Sequence, residues 1–175
     1  MQVFSAFPSE NGENWLVYGN VQVRCALGRS GVRAAADKRE GDGASPVGLW
    51  PIRRVLWRPD RGVAPVTELP ISEIQIDDGW SDASDDPNYN QPVKHPHAYS
   101  AEKMWRDDNL YDIVVILGHN DAPIVAGMGS AIFLHCARPD YGPTQGCVAL
   151  AKSDLLALLA VAKADNCVEI AHHQR

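Results

Sequence analysis

The sequence predicts a mainly β domain of the α+β kind, with one C-terminal helix and a long irregular insertion. Three observations predict it. The chain carries 14 glycines and 12 prolines, a density of turn formers that favours short strands over long helices. Runs of β-branched and aromatic residues recur between those turns. Only one stretch, close to the C-terminus, combines helix-start chemistry with a cluster of leucines. At 175 residues the chain is a single domain by size, residues 1–175, and is long enough to bury a core of its own.

The first strands are expected at Trp15–Tyr18 and Val21–Leu27, joined by the hairpin signal Gly19-Asn20. A polar, glycine-rich loop follows over 38–48, and strand character resumes from Leu49 to Trp57. Residues 60–100 are irregular by pattern, and a loop of that length in a small domain is usually functional or mobile. Tyr111–Gly118 is a continuous β-branched run of the buried-strand type. Further strands are expected at 131–137 and 146–150. Ser153 is placed to cap a helix, Asp154 suits its positive N-terminal end, and Leu155, Leu156, Leu158 and Leu159 supply its apolar face. Asn166 is placed to end that helix before a closing strand over 167–170.

Charge and apolar patterning exclude several function classes. A net charge of −6 offers no basic face to displace counterions from phosphates, so no nucleic acid is expected as a partner. The longest apolar run, 155–162, is far short of the roughly 20 residues that cross a bilayer, so no membrane insertion is expected. The N-terminal segment has no basic stretch and no sustained apolar run, unlike a secretory leader, and a cytoplasmic location is the expectation. The four cysteines at 25, 136, 147 and 167 then read as free thiols. Oligomeric state is not legible.

The chemistry-bearing residues lie between 119 and 147. Alternation along a 131–137 strand puts His135 on one face with Phe133 and Ala137, and Cys136 on the other with Ile132 and Leu134. Cys136 so placed is a small core residue. The turn-rich segment 138–143 returns the chain, bringing Thr144-Gln-Gly-Cys147 toward His135. A thiol of pKa about 8.5 is only slightly ionised at neutral pH, so an imidazole within reach is what activates it. A glycine before the cysteine leaves room for a substrate backbone and frees N–H groups for an oxyanion. Spacing alone leaves two readings open, a catalytic His–Cys pair or unrelated structural residues. The tryptophans at 50, 57, 80 and 105 read as core or loop anchors, with Trp80 the candidate sugar platform. His95, His97, His172 and His173 read as solvated.

The stretch His135, then Thr144-Gln-Gly-Cys147-Val-Ala149, resembles the motif of the L,D-transpeptidase (YkuD) family, a histidine and a spacer followed by Ser/Thr-His-Gly-Cys, a hydrophobic residue and Asn or Arg. Ala44-Ser-Pro-Val-Gly48 is similar to the family's Thr-Pro-x-Gly segment, and Gly118-His-Asn120 falls where the catalytic sheet begins. The resemblance covers about residues 20–171. Gln145 stands where the motif has histidine, Ala149 where it has Asn or Arg, and the His-to-Cys spacer is shorter. The resemblance implies a β-sandwich catalytic domain acting on peptidoglycan stem peptides or muropeptides, without metal or cofactor. It implies Cys147 as nucleophile and His135 as base, with the Cys136 carbonyl orienting the imidazole and the Gly146 and Cys147 N–H groups lining the oxyanion hole. Arg138, Thr144, Gln145, His119 and Asn120 are the expected substrate contacts. For Arg138 and His119 a surface arginine and a strand-end histidine are the alternatives.

Small members of the family that lack a leader resemble L,D-carboxypeptidases of wall recycling, so trimming of tetrapeptides to tripeptides is the expected reaction. Its alternative is L,D-transpeptidation or D-amino-acid exchange. Outside acyl transfer stand a non-catalytic muropeptide-binding domain and a zinc-binding domain using His135, Cys147, Cys167 and the terminal histidines, although tight Cys-x2–4-Cys spacing is missing.

Overall fold

The computed structural model describes residues 2–173. Strand β1 (Val3–Pro8) alternates buried Phe4 and Ala6 with half-buried Val3 and Ser5, the period of a strand with one face on a core. No strand was expected there. The hairpin of β2 (Asn14–Tyr18) and β3 (Val21–Ala26) forms as expected, with Tyr18 opposite Val21 and Gly19 at φ +55° in the two-residue loop. The short β4 (Val32–Ala34) runs parallel to the start of β5 (Ser45–Trp57), which begins earlier than the expected Leu49.

The span 60–100 is more ordered than its pattern suggests. It holds β6 (Ile71–Glu73), which pairs with the end of β5, and then β7 (Asp78–Ser81) and β8 (Pro92–Lys94). With β9 (Ala101–Lys103) these last two make a separate three-stranded sheet in the order β8-β7-β9. The strands escape a periodicity reading because each spans three or four residues and proline or glycine interrupts the alternation. Then come β10 (Ile113–Leu117), β11 (Phe133–Cys136), β12 (Val148–Leu150), the helix α1 (Lys152–Val161) and β13 (Cys167–Ile170).

The main sheet runs β10-β11-β12-β3-β2-β1-β13-β5-β4. Strand β5 belongs to both ends of that order: residues 48–51 pair with β13 and residues 52–57 with β10. The sheet therefore returns on itself through one long strand, and its two sides enclose the main core. Leu155, Leu158 and Leu159 of α1 close that core and are fully buried.

A second apolar cluster lies on the outer face of β10 and β11. Ile113, Val115 and Leu117 point into the main core, while Val114 and Ile116 join Phe133, Trp80, Met104 and Tyr111 under the small sheet. A strand buried on both faces reads as a continuous apolar run, which is the pattern at 113–117. Trp80 meets Phe133 edge-on at 5.1 Å and donates its indole N–H to Asn90 Oδ1 at 3.0 Å. It is a buried anchor and not the exposed sugar platform considered from sequence.

Three smaller expectations are corrected. The helix begins after Ala151 with no side-chain cap, leaving Ser153 inside its first turn. Leu156 is half-exposed on the opposite side from its three buried neighbours. His97 is held by Asp86, with Nε2 2.6 Å from Oδ2, and His95 Nε2 is buried over Gly79, so neither ring is simply solvated. Asn166 caps from beyond the helix, its Oδ1 accepting the Lys163 N–H at 2.9 Å. Among the described residues no helix is long and apolar enough to cross a membrane.

Two leucine substitutions check this packing. Leu155→Ala empties a fully buried site and is expected to lower unfolding stability by about 2–5 kcal/mol. Leu156→Ala, at the exposed neighbour, is expected to stay within about 1 kcal/mol. Urea unfolding followed by circular dichroism measures both, and equal losses would contradict the assigned helix face.

Candidate active site

The site is built where β11 and β12 run side by side. They are parallel, with Leu134 opposite Val148 and His135 opposite Ala149. The connecting segment therefore cannot be a simple hairpin; it loops out and returns to the start of β11. Thr144 pins the return: its N–H donates to Leu27 O at 2.9 Å and its carbonyl accepts the Arg29 N–H at 2.8 Å. The Thr144 hydroxyl then donates to Cys147 O at 2.7 Å and accepts the Gly146 N–H at 3.1 Å.

Two glycines make this return possible. A Cβ on Gly28 would lie 2.4 Å from Gly43 O. Gly146 sits at φ +137°, and its Cβ would lie 2.8 Å from Ala44 O, so both a positive φ and close backbone approach require glycine. The Ala44–Gly48 segment singled out from sequence is the body they pack against. Ser45 Oγ accepts the Gly28 N–H at 2.9 Å and donates to Cys147 O at 3.4 Å.

Cys147 Sγ is buried at the start of β11, accepting the Phe133 N–H at 3.4 Å and donating to Ala131 O at 3.2 Å. Burial pushes its thiol up to about 12, and the nearby Glu102 charge adds to this. His135 is 5% exposed, and its Nδ1 lies 2.8 Å from Cys136 O. A carbonyl only accepts, so Nδ1 carries the proton and Nε2 keeps its lone pair. Burial lowers the imidazole to about 4 despite that hydrogen bond. The resting pair is thus a neutral thiol and a neutral base. Cys136 itself faces the main core, and burial raises its thiol to about 11. Its carbonyl, not its sulfur, belongs to the site.

Cys147, His135, Thr144, Gln145, Arg138 and Ala149 line one cavity of about 420 Å³, within the usual range for small-ligand sites. Gly146, next to Cys147, is buried. Its N–H is turned to the Thr144 hydroxyl, so the oxyanion role expected of it is not open in this arrangement. Ala149 offers this lining only a methyl where the family motif carries Asn or Arg.

His119 and Asn120 do not reach the cavity, which corrects their expected substrate role. His119 Nε2 is 3.1 Å from Met128 O, its ring meets Trp50 edge-on at 4.7 Å, and burial lowers its pKa. Asn120, at φ +51°, spends its amide on the 120–129 loop: Nδ2 donates to Val125 O and Gly129 O, and Oδ1 accepts the Val125 N–H. The zinc constellation is not assembled either, for among the described residues no three His, Cys, Asp or Glu side chains converge on a metal position.

The structure adds cavity residues that sequence reasoning missed. Tyr111 stands edge-on to the His135 ring at 5.3 Å, and its hydroxyl donates to Glu102 Oε1 at 2.6 Å. Glu40, Asp82, Arg106 and Ser130 complete the wall. Of these Asp82 lies within the 60–100 span, and Arg106 and Tyr111 on the stretch that follows it. The length of that span was the one available signal, and nothing in its composition separated these residues from their neighbours.

Residues 9–170 match the YkuD family, described as the L,D-transpeptidase catalytic domain. No protein of curated function matches the chain. Among solved structures, L,D-transpeptidase 1 of Mycobacterium tuberculosis aligns over 97% of this chain and 62% of its own, at 12% identity and a TM-score of 0.36. The helical cell shape determining protein Pgp2 of Campylobacter jejuni aligns over 99% of this chain and 48% of its own, at 16% identity and a TM-score of 0.43. The chain spans less than two thirds of the length of either.

Two measurements follow from this geometry. Activity that depends on a neutral His135 falls as pH drops through about 4, not through the ordinary histidine range near 6.5. A kcat/KM profile with its acid limb near 6.5 would contradict the buried neutral imidazole. Asn120→Ala is expected to cost roughly 1–3 kcal/mol of stability through orphaned loop groups with KM unchanged. A raised KM at unchanged stability would return Asn120 to substrate contact.

Proposed function

Because the chain belongs to the L,D-transpeptidase (YkuD) catalytic-domain family, we propose that it performs cysteine acyl transfer on peptidoglycan stem peptides, and that it does so as an L,D-carboxypeptidase. The observation that carries the reading is that Cys147 and a tautomer-fixed His135 line the same cavity. Cys147 sulfur attacks the carbonyl joining the third stem residue to D-alanine while its proton passes to His135 Nε2. The thiol must first leave Ala131 O, which the approach of substrate allows. With both groups neutral at rest, proton transfer accompanies attack instead of preceding it.

The tetrahedral oxyanion is met by the Cys147 N–H, and the Gly146 N–H joins only if it leaves the Thr144 hydroxyl. Collapse breaks the C–N bond, and the imidazolium protonates the departing D-alanine amine. A water, deprotonated by His135, then attacks the thioester carbonyl; the C–S bond breaks, the imidazolium returns its proton to the Cys147 sulfur, and the tripeptide leaves as the acid, which ionises in solvent. Exposed Arg138 on the cavity rim suits the D-alanine carboxylate, which its planar fork can grip at two points.

Water is favoured as the smaller acceptor, for which the cavity of about 420 Å³ has room beside a bound peptide end. Trimming of released muropeptides, in the cytoplasm during wall recycling, is the setting in which such a reaction has its substrate. Incubation with a disaccharide-tetrapeptide, followed by mass spectrometry, tests this. Loss of one D-alanine by wild type and not by Cys147→Ala is expected. A cross-linked dimer or D-amino-acid exchange as main product would replace hydrolysis by transpeptidation. No reaction would leave a domain that only binds muropeptides.

A further inference from the structure

Ala131 holds a backbone conformation that its side chain disfavours. It is 9% exposed and sits at φ +52°, in the left-handed region where a residue with a Cβ persists only when its surroundings hold it. One side chain supplies that hold. Asn90 Oδ1 accepts the Ala131 N–H at 3.0 Å, from 41 positions earlier in the chain. The same oxygen accepts the Trp80 indole N–H at 3.0 Å, and Nδ2 donates to His119 O at 3.1 Å and to Asn120 O at 2.8 Å. The backbone N–H of Asn90 donates to Ser81 O at 3.0 Å. Both ends of the amide are used, so its orientation is fixed.

The consequence reaches the nucleophile. The carbonyl of the residue so held takes the Cys147 thiol proton at 3.2 Å, while the Phe133 N–H donates to the same sulfur at 3.4 Å. These two contacts act in opposite senses on ionisation. The N–H favours a thiolate. A carbonyl oxygen binds only the S–H form and presents its negative end to a thiolate. The proton that His135 Nε2 must receive is therefore engaged elsewhere in the resting site.

We infer that Asn90 is a positioning residue acting through Ala131: it holds the Ala131 carbonyl on the sulfur and so keeps the resting Cys147 protonated and slow toward stray electrophiles. The inference rests on the acyl-transfer reading above, in which Cys147 is the nucleophile, and adds to it a residue outside the His–Cys motif. Ala131 lines the catalytic cavity, so a peptide end that enters lies against the contact that has to open. Burial and the charges of Glu102 and Lys38 also act on this thiol, and Tyr111 and His135 share its cavity. None of these four side chains bonds to Asn90, which makes position 90 a separate control on the sulfur.

Alkylation of the full chain by iodoacetamide, followed by peptide mass spectrometry, reads the hold without any peptidoglycan substrate. Cys136, which faces the main core, reports opening of the sheet in the same sample. Asn90→Ala is expected to raise the Cys147 rate roughly 3- to 10-fold, the worth of one hydrogen bond, with the Cys136 rate unchanged. Should that variant fail to fold by circular dichroism, Asn90→Ser, whose shorter side chain withdraws the acceptor, takes its place. Adding Ala131→Gly is expected to bring the Cys147 rate at least halfway back, because glycine takes a positive φ without being held there. A role confined to stability would instead give a further rise. Met104→Ala, which loosens the same apolar cover without touching Asn90, is expected to leave the Cys147-to-Cys136 ratio unchanged. No rise on substituting Asn90, an equal rise at Cys136, an equal rise in Met104→Ala, or no recovery with Ala131→Gly would overturn the inference. If the rates move as expected but wild type leaves the tetrapeptide intact, acyl transfer fails and the hold on the thiol stands. If wild type releases D-alanine but Asn90 does not affect alkylation, the hold fails and acyl transfer stands.

Discussion

Burial of β10 and β11 on both faces is the constraint from which the rest of the structure follows. One face of Ile113–Leu117 closes the main core, and the other must be covered by something outside the main sheet. The 60–111 span is that cover. Its small sheet lowers Trp80 and Met104 onto Val114, Ile116 and Phe133, shielding apolar surface that would otherwise face water. The same cover brings Asp82, Glu102, Arg106 and Tyr111 to the edge of β11. Packing and site assembly are one event here, because the strand that carries His135 is also the strand that needs covering.

The seat of the nucleophile depends on backbone proximity more than on side chains. A parallel β11–β12 pair obliges the intervening loop to travel out and back. Its return is held by Thr144, by the Gly28 and Gly146 approaches to 43–45, and by Ser45. Asn90 ties the cover to this seat: its Oδ1 accepts the Ala131 N–H at 3.0 Å while its Nδ2 donates to His119 O and Asn120 O. Ala131 in turn supplies the carbonyl that holds the Cys147 thiol. Thus the small sheet, the 119–131 segment and the cysteine are mechanically linked.

The electrostatics have a consistent sense. Desolvation dominates at both His135 and Cys147, lowering the base and raising the thiol, so the unliganded pair holds no separated charge in a buried place. The acidic wall works in the same direction, since a carboxylate near the sulfur disfavours a thiolate.

Much of the fold was legible in local pattern. The β2–β3 hairpin, the β-branched run of β10, the leucine cluster of α1 and the closing β13 follow from turn chemistry and spacing that neighbours in sequence settle among themselves. The alternation that put His135 and Cys136 on opposite faces of β11 was legible too, because a strand's period of two is local. What only the tertiary structure decided is who stands across from whom. The parallel register of β11 and β12, the role of 60–111 as a cover, the removal of His119 and Asn120 from the cavity and the gathering of Glu40, Asp82, Glu102 and Tyr111 are all contacts between distant segments. Short strands broken by proline and glycine carry little periodic signal, and a carboxylate's partners depend on packing, which no local pattern encodes.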